Sequence, residues 1–453
     1  MADEVSRGEN LRIALLAYKG NPFCGGQGVY VRHLSRELAR LGHTVEVLAG
    51  QPYPVLDAGV GLTEVSSLDL YRQPDPFRTP KRDEYRDWVD LLEVGTMWTA
   101  GFPEPLTFSL RALKHLSTRR GEFDVVHDNQ CLGYGLLGLP RLGFPTLATV
   151  HHPIQVDRDL ELAAATTRGR QASLRRWYAF TKMQTRVARR LPEIITVSSS
   201  SAAEIGQYLG VPRRRISTIP IGADTDTFAP DPTVPKVPGR IVTTASADVP
   251  LKGLLPLVEA LAKVRVEVAE AHLVVVGKAK PDGLVAKAVE RLGLGGAVRF
   301  VHGISDAELV DLIRSAEAAC VPSLYEGFSL PAVEAMACGA ALVSTTGGAI
   351  PEVAGRDGET TLAVPPGDPS ALAVALVRVL GDADLRARLG AAARQRVLEQ
   401  FTWRAAAVAT ADRYRALIDA ARDPIDWDRQ AADRRPGGPG WPGSSRQPRR
   451  VGV

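Results

Sequence analysis

The sequence predicts an α/β protein with two doubly wound, parallel-sheet domains that face each other across a central cleft. Short apolar runs alternate with longer segments of helical spacing, and this alternation occurs in two blocks that the Pro-rich residues 230–239 separate. Such alternation favours parallel sheets, and 453 residues are too many for one ordinary core. We therefore expect one domain on each side of the Pro-rich segment.

The first block opens with a strand, a loop, a helix and a second strand. Residues 11–17 (LRIALLA) form a short apolar run that is typical of a buried parallel strand. Apolar residues recur at helical spacing over residues 29–41, and Gly42 can end that helix. Residues 51–105 break the pattern and are expected to form an insertion of loops with one or two helices. Further strands of this block are predicted at residues 44–48, 123–127, 146–150 and 193–197.

The second block predicts a domain of the same kind. Its strands are expected at residues 241–245, 271–276, 297–302, 318–321, 341–344 and 361–364. Ligands of doubly wound domains bind at the carboxyl ends of the strands, so the site should lie in the cleft between the two domains. The predicted organisation is an N-terminal domain (1–220), a linker (221–239), a C-terminal domain (240–401), a helix that packs back on the first domain (402–421) and a disordered tail (422–453).

Composition excludes several classes of function. The net charge of +4 is too small for this length to indicate nucleic-acid binding. The four cysteines, Cys24, Cys131, Cys320 and Cys338, form no C-x-x-C pair, so neither a zinc site nor a disulfide scaffold is expected. Residues 1–10 lack the apolar stretch of a signal peptide, and no run approaches the roughly 20 apolar residues of a membrane span. These features predict a cytoplasmic protein.

The strongest chemical signal is the segment YEGFSLPAVEAMACG at residues 325–339. Ser329 can cap a helix, Pro331 fits its first turn and Gly339 can close it. Glu326 is then expected on the loop before the helix and Glu334 within the helix. Two carboxylates placed in this way can accept hydrogen bonds from two sets of sugar hydroxyls. Without this context, such a pair more often belongs to a solvated amphipathic helix.

The same helix start predicts an anion site. The backbone amides of Phe328, Ser329 and Leu330 are expected to point from the helix N-terminus. Amides in this position bind phosphate without a metal ion.

Histidines follow two of the predicted strands. His151 comes directly after the strand at residues 146–150, at the end where ligands bind, but the neighbouring His152 leaves the assignment open. His127, with Asp128 and Asn129, ends another strand and could line the acceptor side of the cleft. Polar residues also occur at strand ends for structural reasons, so the second group is the weaker candidate.

Taken together, these motifs resemble the GT-B glycosyltransferases, specifically the retaining family four (glycosyl transferases group 1), which includes bacterial mannosyl- and glucosyltransferases. The resemblance covers residues 11–420 and implies two Rossmann-like domains. The matching motifs are G-G-x-G-V-Y (25–30), V-S (197–198), P-x-G-x-D (220–224), K-G (252–253), E-G-F-x-L-P-x-x-E-A (326–335) and G-G-x-x-P-E (347–352).

The resemblance implies a role for each donor-site residue. Glu326 would bind hydroxyls of the donor sugar, and Glu334 would hold the ribose of the nucleotide. Lys252 would neutralise the diphosphate leaving group, and the loop of Gly25 and Gly26 would approach that diphosphate closely because glycine has no Cβ.

The reaction that the resemblance implies is transfer of a hexose from a UDP- or GDP-sugar to an unidentified hydroxyl acceptor, with retention of configuration. His151 would lie near the reacting sugar carbon. No residue is an obvious covalent nucleophile, so we expect a front-face reaction. Neither a metal ion nor a bound cofactor is expected, since a lysine and helix-end amides can stabilise the departing diphosphate.

The sequence departs from this family at Ser246 and Ala247, where many relatives carry an arginine. One fewer cation would then face the diphosphate, which keeps a non-catalytic nucleotide-sugar-binding protein open as an alternative. A GT-B nucleotide-sugar epimerase is a second alternative. A dinucleotide oxidoreductase is disfavoured because the N-terminal loop reads G-G-x-G rather than G-x-G-x-x-G.

A basic stretch runs from Arg168 to Arg190 without any Asp or Glu, and Trp177, Tyr178 and Phe180 interrupt it. It could attract an anionic membrane surface or a phosphorylated acceptor, which would make the protein peripheral at the inner face of a membrane. The alternative is a solvated helix face with buried aromatic rings. The apolar positions form no clean stripe, which favours that alternative.

Overall fold

The computed structural model describes residues 10–20, 26–72, 74–245 and 249–422. The N-terminal part forms a seven-stranded sheet in which every pair of neighbouring strands is parallel. Its strands are β1 (Arg12–Ala17), β2 (Thr44–Ala49), β3 (Gly61–Glu64), β4 (Val125–Asn129), β5 (Thr146–Thr149), β6 (Ile194–Thr196) and β7 (Ile216–Thr218). They lie in the order β3-β2-β1-β4-β5-β6-β7.

The C-terminal part forms a second parallel sheet, of six strands. Its strands are β8 (Arg240–Thr244), β9 (His272–Val276), β10 (Val298–Val301), β11 (Ala318–Val321), β12 (Leu342–Thr345) and β13 (Leu362–Val364). They lie in the order β10-β9-β8-β11-β12-β13. The predicted fold class, two doubly wound α/β domains, is therefore confirmed.

Fifteen helices connect and cover the two sheets in the described residues. They are α1 (Gly26–Arg40), α2 (Trp88–Trp98), α3 (Glu104–Ser117), α4 (Ile154–Ala164), α5 (Arg168–Trp177), α6 (Thr181–Ala188), α7 (Ser199–Glu204), α8 (Leu254–Glu267), α9 (Leu284–Arg291), α10 (Asp306–Ser315), α11 (Leu330–Ala337), α12 (Ile350–Ala354), α13 (Pro369–Gly381), α14 (Ala383–Gln400) and α15 (Trp403–Arg422).

Burial of the central strands explains why the sequence predicts them well. Every residue of β4, β5, β11 and β12 is buried, as helices on both faces of a parallel sheet require. The strand order reverses between β1 and β4 in the first sheet and between β8 and β11 in the second. Crevices that bind ligands open at such reversals, on the carboxyl side of the strands.

Two strands were not predicted. β3 has the sequence GLTE and lies at the edge of the first sheet with most of its residues exposed, so it carries no apolar run. β7 occupies the opposite edge and has three residues, of which only Ile216 is buried. The insertion expected at residues 51–105 contains β3, α2 and the start of α3.

The chain passes between the domains twice, and the two crossings lie side by side. The backbone N–H of Ala223 donates to the carbonyl of Phe401 at 3.0 Å, and Ala223 also forms a parallel bridge with Thr402. A Cβ on Gly222 would clash with this second segment, so glycine is needed there. After the second crossing, α15 packs on α1 in the N-terminal domain.

Several predictions fall outside the described residues. These are the loop position Gly25, the departure at Ser246 and Ala247, and the tail beyond Arg422. Among the described residues, Cys131, Cys320 and Cys338 are buried and form no disulfide. No described helix has both the length and the hydropathy that a membrane span requires.

Candidate active site

A cavity of about 310 Å³ lies between the two domains. Both domains line it, through Gly26, Gln27, Gln130, His151, His152, Val197, Ile221, Lys252, Glu326, Gly327, Phe328, Leu330 and Pro331. Most of the predicted site residues are in this set, whereas Ser329 and Glu334 are not. No site role was predicted for Gln27, Gln130 and Ile221.

Lys252 and Glu326 form an ion pair in the wall of the cavity. Lys252 Nζ lies 2.9 Å from Oε1 and 3.0 Å from Oε2 of Glu326, and Ser323 Oγ donates to Oε1 at 2.7 Å. Gly253 makes this position of Lys252 possible, because its φ is +65° and a Cβ would clash with the carbonyl of Pro322. The sequence resemblance assigns Lys252 to the diphosphate and Glu326 to the sugar of a donor. In this structure the two side chains neutralise each other.

Helix α11 begins after Ser329, but the predicted capping hydrogen bond is absent. Ser329 occupies the N-cap position, and its buried Oγ has no partner among the described residues. Pro331 is the second residue of the helix and has no N–H. One of the two backbone N–H groups from which an N-cap side chain usually accepts a hydrogen bond is therefore missing. The prediction for the other end is confirmed: Gly339 has a φ of +69° just after the helix.

Glu334 lies in α11, one turn beyond Leu330 and Pro331, and is not itself among the residues that line the cavity. Burial raises the pKa of its carboxyl group to about 8, and the charge of Asp306 adds to this effect. The side chain is therefore mostly protonated at neutral pH in this state.

Gln130 positions both histidines of the cavity. Its Oε1 accepts a hydrogen bond from the backbone N–H of His151 at 2.8 Å, and its Nε2 donates to the carbonyl of His152 at 2.9 Å. Gln130 has a positive φ of 57°, which is uncommon for a residue other than glycine. A polar residue just beyond β4 was the only signal for this role in the sequence.

His151 and His152 have opposite electrostatic environments. Burial lowers the pKa of His151 to about 3, with a further contribution from His152, and its Nε2 lies 2.9 Å from Asn129 Oδ1. Burial also opposes a charge on His152, but Asp157, 2.9 Å from its Nε2, raises its pKa above the usual value. His151 is therefore neutral at physiological pH, whereas His152 carries charge more readily.

His127 does not line the cleft, which corrects the expectation that it faces an acceptor. It is fully buried, with Nδ1 2.6 Å from Tyr414 Oη and Nε2 2.7 Å from Thr149 Oγ1. Both ring nitrogens are used to join β4 to α15 and β5. Asp128 is also fully buried, and one of its oxygens accepts from the backbone of Leu132.

Hydroxyl groups of the N-terminal domain hold the loop that carries Glu326. Ser198 Oγ and Ser201 Oγ both donate to the carbonyl of Gly327, at 2.6 and 3.1 Å. A Cβ on Gly327 would lie 3.1 Å from Ser201 Oγ and 3.4 Å from the carbonyl oxygen of His151, so this loop packs closely on the N-terminal domain.

Glu352 makes a second link between the domains. It lies in α12, and its carboxylate accepts from the backbone N–H groups of Ser199 and Ser200 at 2.8 and 2.9 Å. These amides are at the first turn of α7, where a negative charge is stabilised. The G-G-x-x-P-E motif therefore supplies a contact between the domains.

The basic stretch from Arg168 to Arg190 forms α5, a 3₁₀ turn and α6. Leu174 is the one buried residue of α5, and Trp177 packs against Phe102 with ring centroids 5.0 Å apart. The Arg and Lys residues of the stretch are exposed. This arrangement agrees with a solvated face whose aromatic rings pack inward.

Comparisons with known proteins identify the family. A family model described as Glycosyl transferases group 1 matches residues 229–396, and one described as Glycosyltransferase Family 4 matches residues 24–227. An MMP alpha-(1->4)-mannosyltransferase from Mycolicibacterium hassiacum is 53% identical to this chain, over 90% of the chain and 98% of its own length. The chain belongs to the group 1 glycosyltransferases. It is thus an enzyme that transfers a sugar.

Solved structures agree on the GT-B fold. Sucrose-phosphate synthase from Thermosynechococcus elongatus has a TM-score of 0.67 and 24% identity, over 91% of this chain and all of its own. Anabaena HepE in complex with UDP-glucose has a TM-score of 0.65 and 17% identity, over 90% of this chain and all of its own.

We predict that Glu352→Ala lowers kcat/KM for sugar transfer at least about tenfold, because the links to Ser199 and Ser200 hold the two halves of the site together. Hydrogen bonds to charged groups contribute about 1.5–3 kcal/mol each, and 1.4 kcal/mol corresponds to a tenfold change. Glu359→Ala is a matched control, since Glu359 is an exposed glutamate whose nearest ion-pair partner is 3.8 Å away. Unchanged kcat/KM in Glu352→Ala, with an unchanged circular dichroism spectrum, would contradict this role.

Proposed function

We propose that this enzyme transfers mannose from a nucleotide-diphosphate sugar, with GDP and UDP as the candidate nucleotides, to a saccharide hydroxyl, and forms an α-(1→4) linkage with retention of configuration. The observation that carries this proposal is the 53% identity to the Mycolicibacterium hassiacum mannosyltransferase, which extends over nearly the whole length of that relative. The cavity supports it, because the relative's reaction needs a donor and an acceptor to meet and both domains line the cavity.

In this proposal, donor binding replaces the ion pair of Lys252 and Glu326. The diphosphate takes the place of the carboxylate beside Lys252, and the sugar hydroxyls donate to Glu326. Ser329 Oγ, which is buried and has no partner among the described residues, and the backbone amides of Phe328, Ser329 and Leu330 are further partners for phosphate oxygens. Gly26 leaves room for close approach, since a Cβ there would meet no described atom within 4 Å.

The two histidines have different roles in this proposal. His151 is neutral, so it can lie beside the reacting sugar carbon without repelling the positive charge that develops there. His152 can carry a proton and supplements Lys252, which is the only Lys or Arg among the described residues that line the cavity. With these groups, the departing phosphate oxygen itself takes the proton of the acceptor hydroxyl on the front face. We propose that the reaction needs neither a metal ion nor a bound cofactor.

An assay with a panel of nucleotide sugars tests the proposal. We expect a mannose donor to stabilise the protein against heating, and transfer to an α-mannoside acceptor to persist in a metal chelator. Because Glu326→Ala and Lys252→Ala each remove one half of the donor contact, both should lower transfer at least a hundredfold. The control Lys287→Ala, an exposed lysine of α9, should leave transfer unchanged.

The other outcomes of this assay identify the alternative functions. A new epimer formed from the donor alone would indicate a nucleotide-sugar epimerase. Donor binding without turnover of any saccharide acceptor would indicate a non-catalytic binding protein. Transfer that is unchanged in both Glu326→Ala and Lys252→Ala would refute the assignment of the site.

We predict that donor binding releases protons through Glu334. The ribose hydroxyls would donate to its carboxylate and favour the charged form, so binding lowers a pKa of about 8 and releases up to about one proton near pH 7. Binding should therefore strengthen as the pH rises towards about 8 and level off above it. Calorimetry at pH 7 in buffers of different ionisation enthalpy measures the net proton balance, which Glu334→Gln should shift towards uptake by up to about one proton.

The pH dependence of stability provides an independent check on Glu334. Because its pKa is raised in the folded state from 4.5, its stabilising effect is complete below about pH 4.5 and is lost as the pH rises through about 8. Glu334→Gln should remove this part of the pH dependence. An identical proton balance in the wild-type protein and in Glu334→Gln would contradict the ribose role.

We also propose, as a separate property, that the exposed basic face from Arg168 to Arg190 brings the enzyme to anionic lipid at the cytoplasmic side of a membrane. Co-sedimentation with vesicles of phosphatidylserine and phosphatidylcholine tests this, and binding should weaken with added salt. Changing Arg170 and Arg175 to Glu should abolish binding, whereas changing Arg388 and Arg404, exposed on α14 and α15, should not. Equal recovery with neutral vesicles would contradict the proposal.

A further inference from the structure

Helix α2 buries one face and leaves a second, apolar face exposed. Its buried face combines Val89, Val94 and Met97 with two carboxylates. Asp90 and Glu93 are buried, with 0% and 1% of their surfaces exposed. Trp88, Leu91 and Trp98 are exposed to 61%, 63% and 65%. Large apolar side chains that share one exposed face point to a contact with another surface.

Ion pairs fix α2 in this orientation. Asp90 Oδ1 lies 2.6 Å from Arg111 and 3.0 Å from Arg86, and Glu93 also pairs with Arg111. Arg111 belongs to the buried face of α3. Rotation of α2 to bury its tryptophans would separate these charges, so the apolar face cannot turn inward.

The exposed face is a narrow stripe with a gap in it. Trp88, Leu91, Gly95 and Trp98 follow the spacing i, i+3, i+7 and i+10, which places them on one side of a helix. Gly95 is exposed, and a Cβ on it would meet no described atom within 4 Å. The stripe therefore has a large residue at each end, and a leucine beside a glycine in the middle.

We propose that this stripe is the centre of a symmetric interface with a second copy of this chain. In an antiparallel pair of α2 helices centred near residue 93, Trp88 faces Trp98 of the other copy, and Leu91 faces Gly95. Each contact occurs twice, as a two-fold interface requires. The leucine of one helix fills the space that the glycine of the other leaves, so the helices can approach closely.

The charges around the stripe favour a second copy over an anionic membrane. Asp87, at the N-terminal end of α2, pairs with Lys114 at 2.7 Å, so this end presents both signs. At the C-terminal end, Arg176 donates to Thr99 Oγ1 at 2.6 Å. In an antiparallel pair, the N-terminal end of one α2, with Asp87, lies beside the C-terminal end of the other, where Arg176 is found. The two helix dipoles then point in opposite directions, which is favourable.

The stripe alone is too small for a stable dimer, so neighbouring residues must also belong to the interface. A standard interface buries about 800 Å² on each partner, more than one stripe of an 11-residue helix supplies. Phe77 is 59% exposed and packs on Tyr71, which packs against the hydrophobic cluster that includes Val94 and Met97 of α2. We assign Phe77 to the same interface. None of these residues lines the cavity, so loss of the dimer should leave basal sugar transfer unchanged.

The first test is the mass of the full chain in solution. Sedimentation velocity over a wide range of concentration should give twice the chain mass of 48.7 kDa. Leu91→Glu and Gly95→Gln should each give a monomer, and glutamine favours helix over glycine, so the second variant should still fold. Val266→Glu is the matched control, because Val266 is 86% exposed on α8. A monomeric wild-type protein, or a dimer that Leu91→Glu leaves intact, would overturn the proposal.

The second test determines the register. When a Leu91→Cys chain and a Gly95→Cys chain are mixed, a disulfide should form between them. Neither variant should cross-link alone, because like positions would be separated by about 6 Å along the helices in addition to the interhelical distance. Cross-linking of Leu91→Cys alone would contradict the antiparallel register. Binding of monomeric wild-type protein to vesicles or to α-mannan that Leu91→Glu abolishes would assign the stripe to another partner.

Discussion

The carbonyl of Gly327 is the contact on which the arrangement of the site depends. It belongs to the C-terminal domain, and two hydroxyls of the N-terminal domain, from Ser198 and Ser201, donate to it. Two donors use both lone pairs of one carbonyl oxygen, which fixes its position. Because Glu326 precedes Gly327, this contact also sets the distance between that carboxylate and His151. The V-S and E-G-F motifs, which are far apart in the chain, are thus the two sides of one hydrogen-bonded contact.

If Lys252 and Glu326 hold the donor as proposed, their pairing also selects the ligand. Each group neutralises the other in a partly buried position, and a ligand that displaced only one would leave the other without an opposite charge. An incoming molecule must therefore bring an anion for Lys252 and hydroxyl donors for Glu326. Inorganic phosphate supplies the first and a free sugar supplies the second, whereas a nucleotide sugar supplies both. In the proposed site, the ion pair would therefore favour the complete donor over its fragments.

Sequence reasoning predicted the strands and the polar residues at their ends because both are local signals. A buried parallel strand is a short apolar run, and the topology brings all carboxyl ends to one edge, which is how His151 was found. β3 escaped prediction because an exposed edge strand has no such run. The contacts of Gln130 with His151, and of Glu352 with Ser199, were also missed. They depend on how distant segments and separate domains dock, and no local pattern carries that information.

Helix α2 has two apolar faces, and the one that also carries the paired carboxylates, with Val89, Val94 and Met97, is the one that is buried. Trp88, Leu91 and Trp98 share one face, a spacing that by itself favours burial. Burying three such side chains would stabilise the fold by about 1.5–3 kcal/mol each. Turning that face inward would, however, separate Asp90 and Glu93 from Arg111, and breaking a buried pair costs about 3–5 kcal/mol. The two terms are of similar size within one chain, but they need not compete in an assembly. With the charges paired inside, the apolar face remains available to a partner, and both stabilising terms are then obtained together.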